Sequence, residues 1–144
     1  MTFVAEGCDE FCKRLRNMTD FTAVTIPELK NKSSDIAANK IREADKILEK
    51  LQPADFLILL DEKGKELTSV QFADYIQKRE NQSLKRIVFL IGSAYGFDEK
   101  LYQRANDKIA LSKMTFSHQL IRLVFLEQFY RAQTILHNFP YHNE

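Results

Sequence analysis

The C-terminus carries a dense run of side chains able to do chemistry: Asn138, Phe139, Pro140, Tyr141, His142, Asn143 and Glu144. Two aromatics, an imidazole and a carboxylate sit around a stiffening proline, where most termini fray into small polar residues. Such a tail is either a lid or wall of a site, or a plug whose Phe139 and Tyr141 dock on the body of the domain. The three histidines, His118, His137 and His142, show no metal-ligand spacing among themselves, so no metal site is expected. His118 falls at the first turn of a helix-like run with Arg122 one turn further on, placed to contact a ligand or to satisfy the helix end. Glu127 and Arg131 are also one turn apart, the spacing of a solvated pair worth a few tenths of a kcal/mol.

Two apolar runs upstream end in LLDEKG and LIGSAYG. Glycines at Gly64, Gly92 and Gly96 permit a turn or a close approach of backbone to ligand. Ser93 follows the second run, but its surroundings lack the Gly-x-Ser-x-Gly spacing of a nucleophile elbow. Neither Gly-x-Gly-x-x-Gly nor a phosphate loop with Gly-Lys-Ser/Thr occurs, which removes the common dinucleotide and nucleoside-triphosphate sites.

Periodicity says what must position these residues. Apolar spacing predicts helices over residues 3–16, 35–51, 69–80, 97–108 and from near Ser117 to His137, with Ser117 as N-cap. Residues 56–60 are continuously apolar, as a strand buried on both faces is, and residues 86–92, RIVFLIG, read as the second such strand. Residues 22–26, TAVTI, read as a further strand closed by Pro27, residues 61–65 as a polar turn, residues 93–96 as a loop, and residues 109–116 as strand or extended loop. Strands alternating with helices imply parallel pairing and a three-layer α/β fold, in which ligands bind beyond the carboxyl ends of the strands.

At 144 residues, with 44% hydrophobic and 28% charged residues, the chain suits one folded domain spanning residues 1–144. Twenty-one Lys and Arg against 20 Asp and Glu leave a net charge of +1, too little to hold long nucleic acid by charge alone, yet compatible with reading a small preformed RNA surface. Cys8 and Cys12 lie on one helical face and read as core thiols. No signal-peptide core and no apolar run of membrane-spanning length is present, so a cytoplasmic protein without a membrane partner is expected.

Three stretches together resemble a known family. They are LSKMTFSHQLIRLVFLEQFYRAQTILHNFPYHNE at 111–144, FLIGSAYG at 89–96 and LLDEKGKEL at 59–67. The order Leu-Ser-x-Met-Thr, His, Glu-Gln-x-Tyr-Arg-Ala, Pro-Tyr-His is similar to the ribosomal RNA large-subunit methyltransferase H family, of the SPOUT class. The resemblance implies a parallel-sheet SPOUT fold with a C-terminal trefoil knot. It also implies a homodimer acting on the assembled ribosome, and methyl transfer from S-adenosylmethionine to N3 of a pseudouridine in 23S rRNA. Carried over by motif, the cofactor pocket takes Leu60 from a first loop, Gly92 and Ser93 from a second, and Leu111, Ser112, Lys113, Met114, Thr115 and Phe116 from a third. The family's tail reaches the active site of the dimer, so Tyr141 and His142 would position the base or assist proton removal. His118, Arg131 and Asn143 would contact RNA or the interface.

The sequence departs from the family pattern in three places. Ser93 stands where a second glycine is usual, and Asn143 where a basic residue commonly follows the tail histidine. Family members have a strand before the helix that matches residues 3–16, and the sheet is expected to lack it here. These departures define the competing reading, a non-catalytic homodimeric α/β binding module that keeps the fold without turnover. A flavodoxin-like regulatory domain is disfavoured, because Asp61 has only Glu62 beside it as an acidic cluster.

Overall fold

The structure is a computed structural model describing residues 2–93 and 95–143, so Ala94 of the expected 93–96 loop and Glu144 of the tail lie outside the described residues. In chain order the elements are α1 (Thr2–Arg16), α2 (Ile36–Lys50), β1 (Phe56–Glu66), α3 (Ser69–Glu80), β2 (Ile87–Ile91), α4 (Glu99–Arg104), β3 (Asp107–Ala110) and α5 (His118–Leu136). The strands form a three-stranded sheet in the order β2-β1-β3, and both pairings are parallel.

Residues 56–60 of β1 and 87–91 of β2 are continuously apolar because the sheet is covered on both faces there. Successive side chains of a strand point to opposite faces. Phe56, Ile58 and Leu60 of β1, with Ile87, Phe89 and Ile91 of β2, pack towards Leu15, Phe72, Ile76 and Phe125 of α1, α3 and α5. Leu57, Leu59, Val88 and Leu90 pack the other way, against Ala44 of α2 and Leu101 of α4. This is the expected three-layer α/β arrangement. Gly7 lets α1 lie close on α5, since a Cβ there would stand 2.8 Å from Leu123 Cδ1. Cys12 is buried and Cys8 half-buried on the same helix, and burial raises the pKa of both thiols.

Caps set several boundaries. Asp35 accepts from the amides of Ala37 and Ala38 at the start of α2, Thr68 and Gln71 form a reciprocal capping box on α3, and Ser117 accepts from Leu120 N as the N-cap of α5.

Three expectations are corrected. Residues 22–26 form no strand: the segment has no regular secondary structure and pairs with no described strand, and β-propensity without a neighbouring ladder does not make one. The helix expected over 97–108 is confined to α4, because residues 107–110 are drawn into the sheet as β3. There the side chain of Asn106 accepts the amide of Leu57 at 2.8 Å. The turn expected at 61–65 is a continuation of β1, with a register shift that leaves Leu60 and Lys65 both opposite Ile109. Gly64 makes this possible: a Cβ there would lie 2.6 Å from Ile109 N, closer than any side chain can approach.

At the opposite end of the sheet, the buried Asp55 ties the layers together. Arg86 Nε donates to its Oδ1 at 2.8 Å, Arg86 Nη2 binds Oδ2, and Gln52 N donates to Oδ2 at 2.7 Å. Arg104 donates to the carbonyls of Gln52 and Asp55 at 3.0 Å. β2 is an edge strand whose outer side has no ladder partner among the described residues.

The Arg86 hydrogen bond holds the Asp55 carboxyl below its ordinary range. Its stabilisation is therefore fully present above the unfolded value of about pH 4 and is lost as pH falls through the lower folded value. Arg86→Met should cost about 3 kcal/mol at neutral pH, because it strands a buried carboxylate. Denaturant melts at stepped pH should also show the variant losing less stability than the parent on acidification.

Candidate active site

The three strands leave the sheet at one level. Leu60 lies opposite Ile91 of β2 on one side and Ile109 of β3 on the other. The loops that follow are thus neighbours at the carboxyl end of the sheet, the place where open parallel sheets bind ligands. Leu60 is half-buried, and the bulge after it meets the loop after β3. Thr115 Oγ1 donates to Glu62 Oε1 at 3.3 Å, and Lys113 Nζ stands 3.6 Å from Glu66 Oε1. Within that loop Met114 N donates to Ser112 Oγ at 2.9 Å, and the Met114 side chain is 76% exposed. Gly92 is required where it stands: a Cβ would come within 2.8 Å of the ring of Phe97, itself buried in the core. Ser93 points its hydroxyl at Glu43 of α2, 3.2 Å away.

A cleft of about 270 Å³ opens between the start of α3, the end of β3 and α5. Leu67, Phe72, Leu111 and Val124 give it apolar walls, and Ser69 and Gln128 are among its polar groups. Next along the chain from Leu60, the partly buried Asp61 carboxylate stands beside the Tyr102 hydroxyl of α4, outside the residues that line the cleft. An apolar slot with a few hydroxyl and amide groups suits a cofactor with a flat base and sugar hydroxyls. The residues present therefore fit S-adenosylmethionine. Among the described residues, no group of three or more His, Cys, Asp or Glu is placed to hold a metal ion.

The tail folds back on α5. His137 caps the helix, Asn138 takes a φ of 59°, Asn138 N donates to Ile135 O and Phe139 N to Thr134 O at 2.8 Å. This is a Schellman ending, and Pro140 then forbids further helix. The reversal brings Tyr141 edge-on to Tyr130, ring centroids 4.8 Å apart, while Phe139 stays 54% exposed. Docking is therefore through Tyr141 rather than Phe139.

Glu127 organises this corner. Its Oε1 accepts from Arg131 Nε at 3.0 Å, from Arg131 Nη2 and from the Tyr141 hydroxyl at 3.2 Å, and its Oε2 accepts from Gln128 at 2.9 Å. Gln128 in turn accepts from Ser69 Oγ at 2.8 Å, so one hydrogen-bonded chain joins the cleft to the tail. Arg131 also lies over the Tyr141 ring at 4.8 Å and donates from Nη1 to His142 Nδ1 at 3.1 Å. Burial, then the Glu127 charge, pushes the Tyr141 phenol pKa up.

The reading of Glu127 and Arg131 as a solvated pair is corrected. Their side chains are 22% and 24% exposed, because the returning tail covers them. Periodicity carries no trace of a segment folding back, which is why Glu127 reads as a solvated charge and why Gln128 and Ser69 are not singled out by the sequence. His118 and Asn143 are exposed, at the first residue of α5 and beyond His142. Glu127→Ala should cost about 2 kcal/mol, leaving a half-buried guanidinium without its acceptor. Denaturant melts should register that loss, and carboxypeptidase should trim the tail faster than in the parent chain.

A family model described as "Predicted SPOUT methyltransferase" matches residues 1–142. Curated proteins named "Ribosomal RNA large subunit methyltransferase H" are similar over nearly the whole chain. The one from Parabacteroides distasonis is 51% identical over 143 residues, covering 99% of this chain and 91% of the relative. That from Christiangramia forsetii is 52% identical, covering 92% and 85%, and that from Cytophaga hutchinsonii 50% identical, covering 98% and 91%. With its layered parallel sheet and converging strand ends, the chain belongs to the SPOUT methyltransferase family.

Proposed function

We propose that this protein transfers a methyl group from S-adenosylmethionine to large-subunit ribosomal RNA. The target is N3 of a pseudouridine of 23S rRNA in the assembled ribosome, and the enzyme acts as a homodimer. The observation that carries the reading is identity of about half over nearly the full length to relatives of that name. Convergence of the three strand-end loops beside a cleft of suitable character supports it. The close pass of Gly64 over β3 accords with a knotted C-terminal half.

When bound, S-adenosylmethionine supplies an electrophilic methyl group on a sulfonium, so the chain's own task is alignment and handling of one proton. The backbone at Leu60, Gly92 and Ser93 and the loop of Leu111, Ser112, Lys113, Met114, Thr115 and Phe116 hold the cofactor. Gly92 keeps the wall open where a Cβ would be driven into Phe97. The tail residues Tyr141 and His142 meet the substrate base. Arg131, committed to Glu127 and His142, holds the tail in place, while His118 and Asn143 are exposed and free to meet RNA. The partly exposed Leu120 and Ile121 on α5, with the exposed Phe139, supply apolar surface for a second copy.

Incubation with S-adenosylmethionine and ribosomes lacking the modification should place one methyl group on that N3. No incorporation, or incorporation only into naked RNA, would overturn the reading. Sedimentation should give twice the chain mass. Calorimetry on Ser93→Gly should return a cofactor affinity within about twofold of the parent, because the exposed hydroxyl is spent on Glu43. A large loss would make Ser93 a ligand.

A further inference from the structure

The tail histidine has its hydrogen placed by its neighbour. A guanidinium has five N–H donors and no acceptor, so the 3.1 Å contact of Arg131 Nη1 with His142 Nδ1 requires Nδ1 to be the accepting nitrogen. The single hydrogen of the ring is then on Nε2. Arg131 cannot turn away to relax this demand. Its Nε and Nη2 are both bound to Glu127 Oε1, and its plane is held over the Tyr141 ring at 4.8 Å. His137 has the opposite arrangement within the same chain: its Nδ1 lies 2.7 Å from the carbonyl of Gln133, which can only accept, so there Nδ1 carries the hydrogen.

We propose that His142 acts in methyl transfer as a fixed hydrogen-bond donor through Nε2–H, with Arg131 as the positioning residue that fixes the tautomer, and not as the base that removes the substrate's proton. This rests on the methyl-transfer reading above. Tyr141 is no alternative base, since its hydroxyl hydrogen is directed at Glu127 and its pKa is raised.

The chemistry balances without a protein base. The N3–H bond of the substrate base breaks and its proton passes to water. The nitrogen lone pair forms the new bond to the methyl carbon, and the carbon–sulfur bond breaks with its electrons on sulfur. While N3 is deprotonated, its charge spreads onto the two flanking carbonyl oxygens. A donor held rigidly against one of them stabilises that charge where it develops, as oxyanion-binding groups do.

The test reads the ring directly and the reaction separately. Nitrogen-15 spectra of histidine-labelled protein at neutral pH should show His142 with its hydrogen on Nε2 and His137 with its hydrogen on Nδ1. In Arg131→Met the His142 preference should vanish while the His137 signal stays put, which reports an intact fold. On ribosomes, His142→Gln sets an amide N–H near the place of Nε2 and should stay within about tenfold of the parent rate. His142→Ala and His142→Asn, lacking a donor there, should fall about 100-fold.

A His142 ring with hydrogen on Nδ1, or on both nitrogens, overturns the proposal. So does a Gln variant as slow as the Ala variant, since that is the result a base predicts. A parent chain with the expected ring pattern that methylates no ribosome overturns the methyl-transfer reading and the role given to Nε2–H, while the hydrogen assignment on the ring would stand.

Discussion

Everything in this fold is referred to β1. It is the strand with a neighbour on each side, and its Leu57, Ile58 and Leu59 are completely buried, alternately feeding the two cores. Parallel pairing on both edges fixes where the adjoining strands end. The level at which Leu60 faces Ile91 and Ile109 is therefore the level at which all three loops emerge. Helices on each face supply the apolar cover that lets such a strand exist. A polar substitution within residues 57–59 would reach both layers and the loops at once.

The two ends of the sheet are specialised by chemistry. One end is latched by charge: Asp55 is saturated by Arg86 and Gln52, while Arg104 bridges two backbone carbonyls. At the other end, glycines stand at 64 and 92 where side chains would collide. Beyond it, Ser69, Gln128, Glu127, Arg131 and Tyr141 form a polar line along α5 whose members have specific partners.

Local patterning made much of this legible. The runs at 56–60 and 86–92, the cap at Ser117 and the amphipathic stretch at 69–80 announce strands and helices through residue types that have few other uses. What stayed hidden depends on contacts distant in sequence. Residues 107 and 108 look helical until β1 offers them an edge. Residues 61–65 look like a turn until Gly64 is seen lying on β3. Glu127 looks like a surface charge until the chain returns over it. The loops proposed to hold the cofactor were read by motif, whereas the tail's hydrogen-bond directions needed atoms.

The open side of β2 has a colloidal consequence. Ile87 to Ile91 carry five apolar residues, each only partly covered, along a strand whose outward amides and carbonyls have no ladder partner among the described residues. Edge strands in soluble proteins are usually blunted by a lysine, a proline or a bulge within the strand, and none interrupts this one. Such an edge is a template for any extended chain that meets it, so intermolecular strand addition and aggregation compete with the native assembly as concentration rises. Handling of this protein should be governed less by its melting temperature than by what occupies that edge.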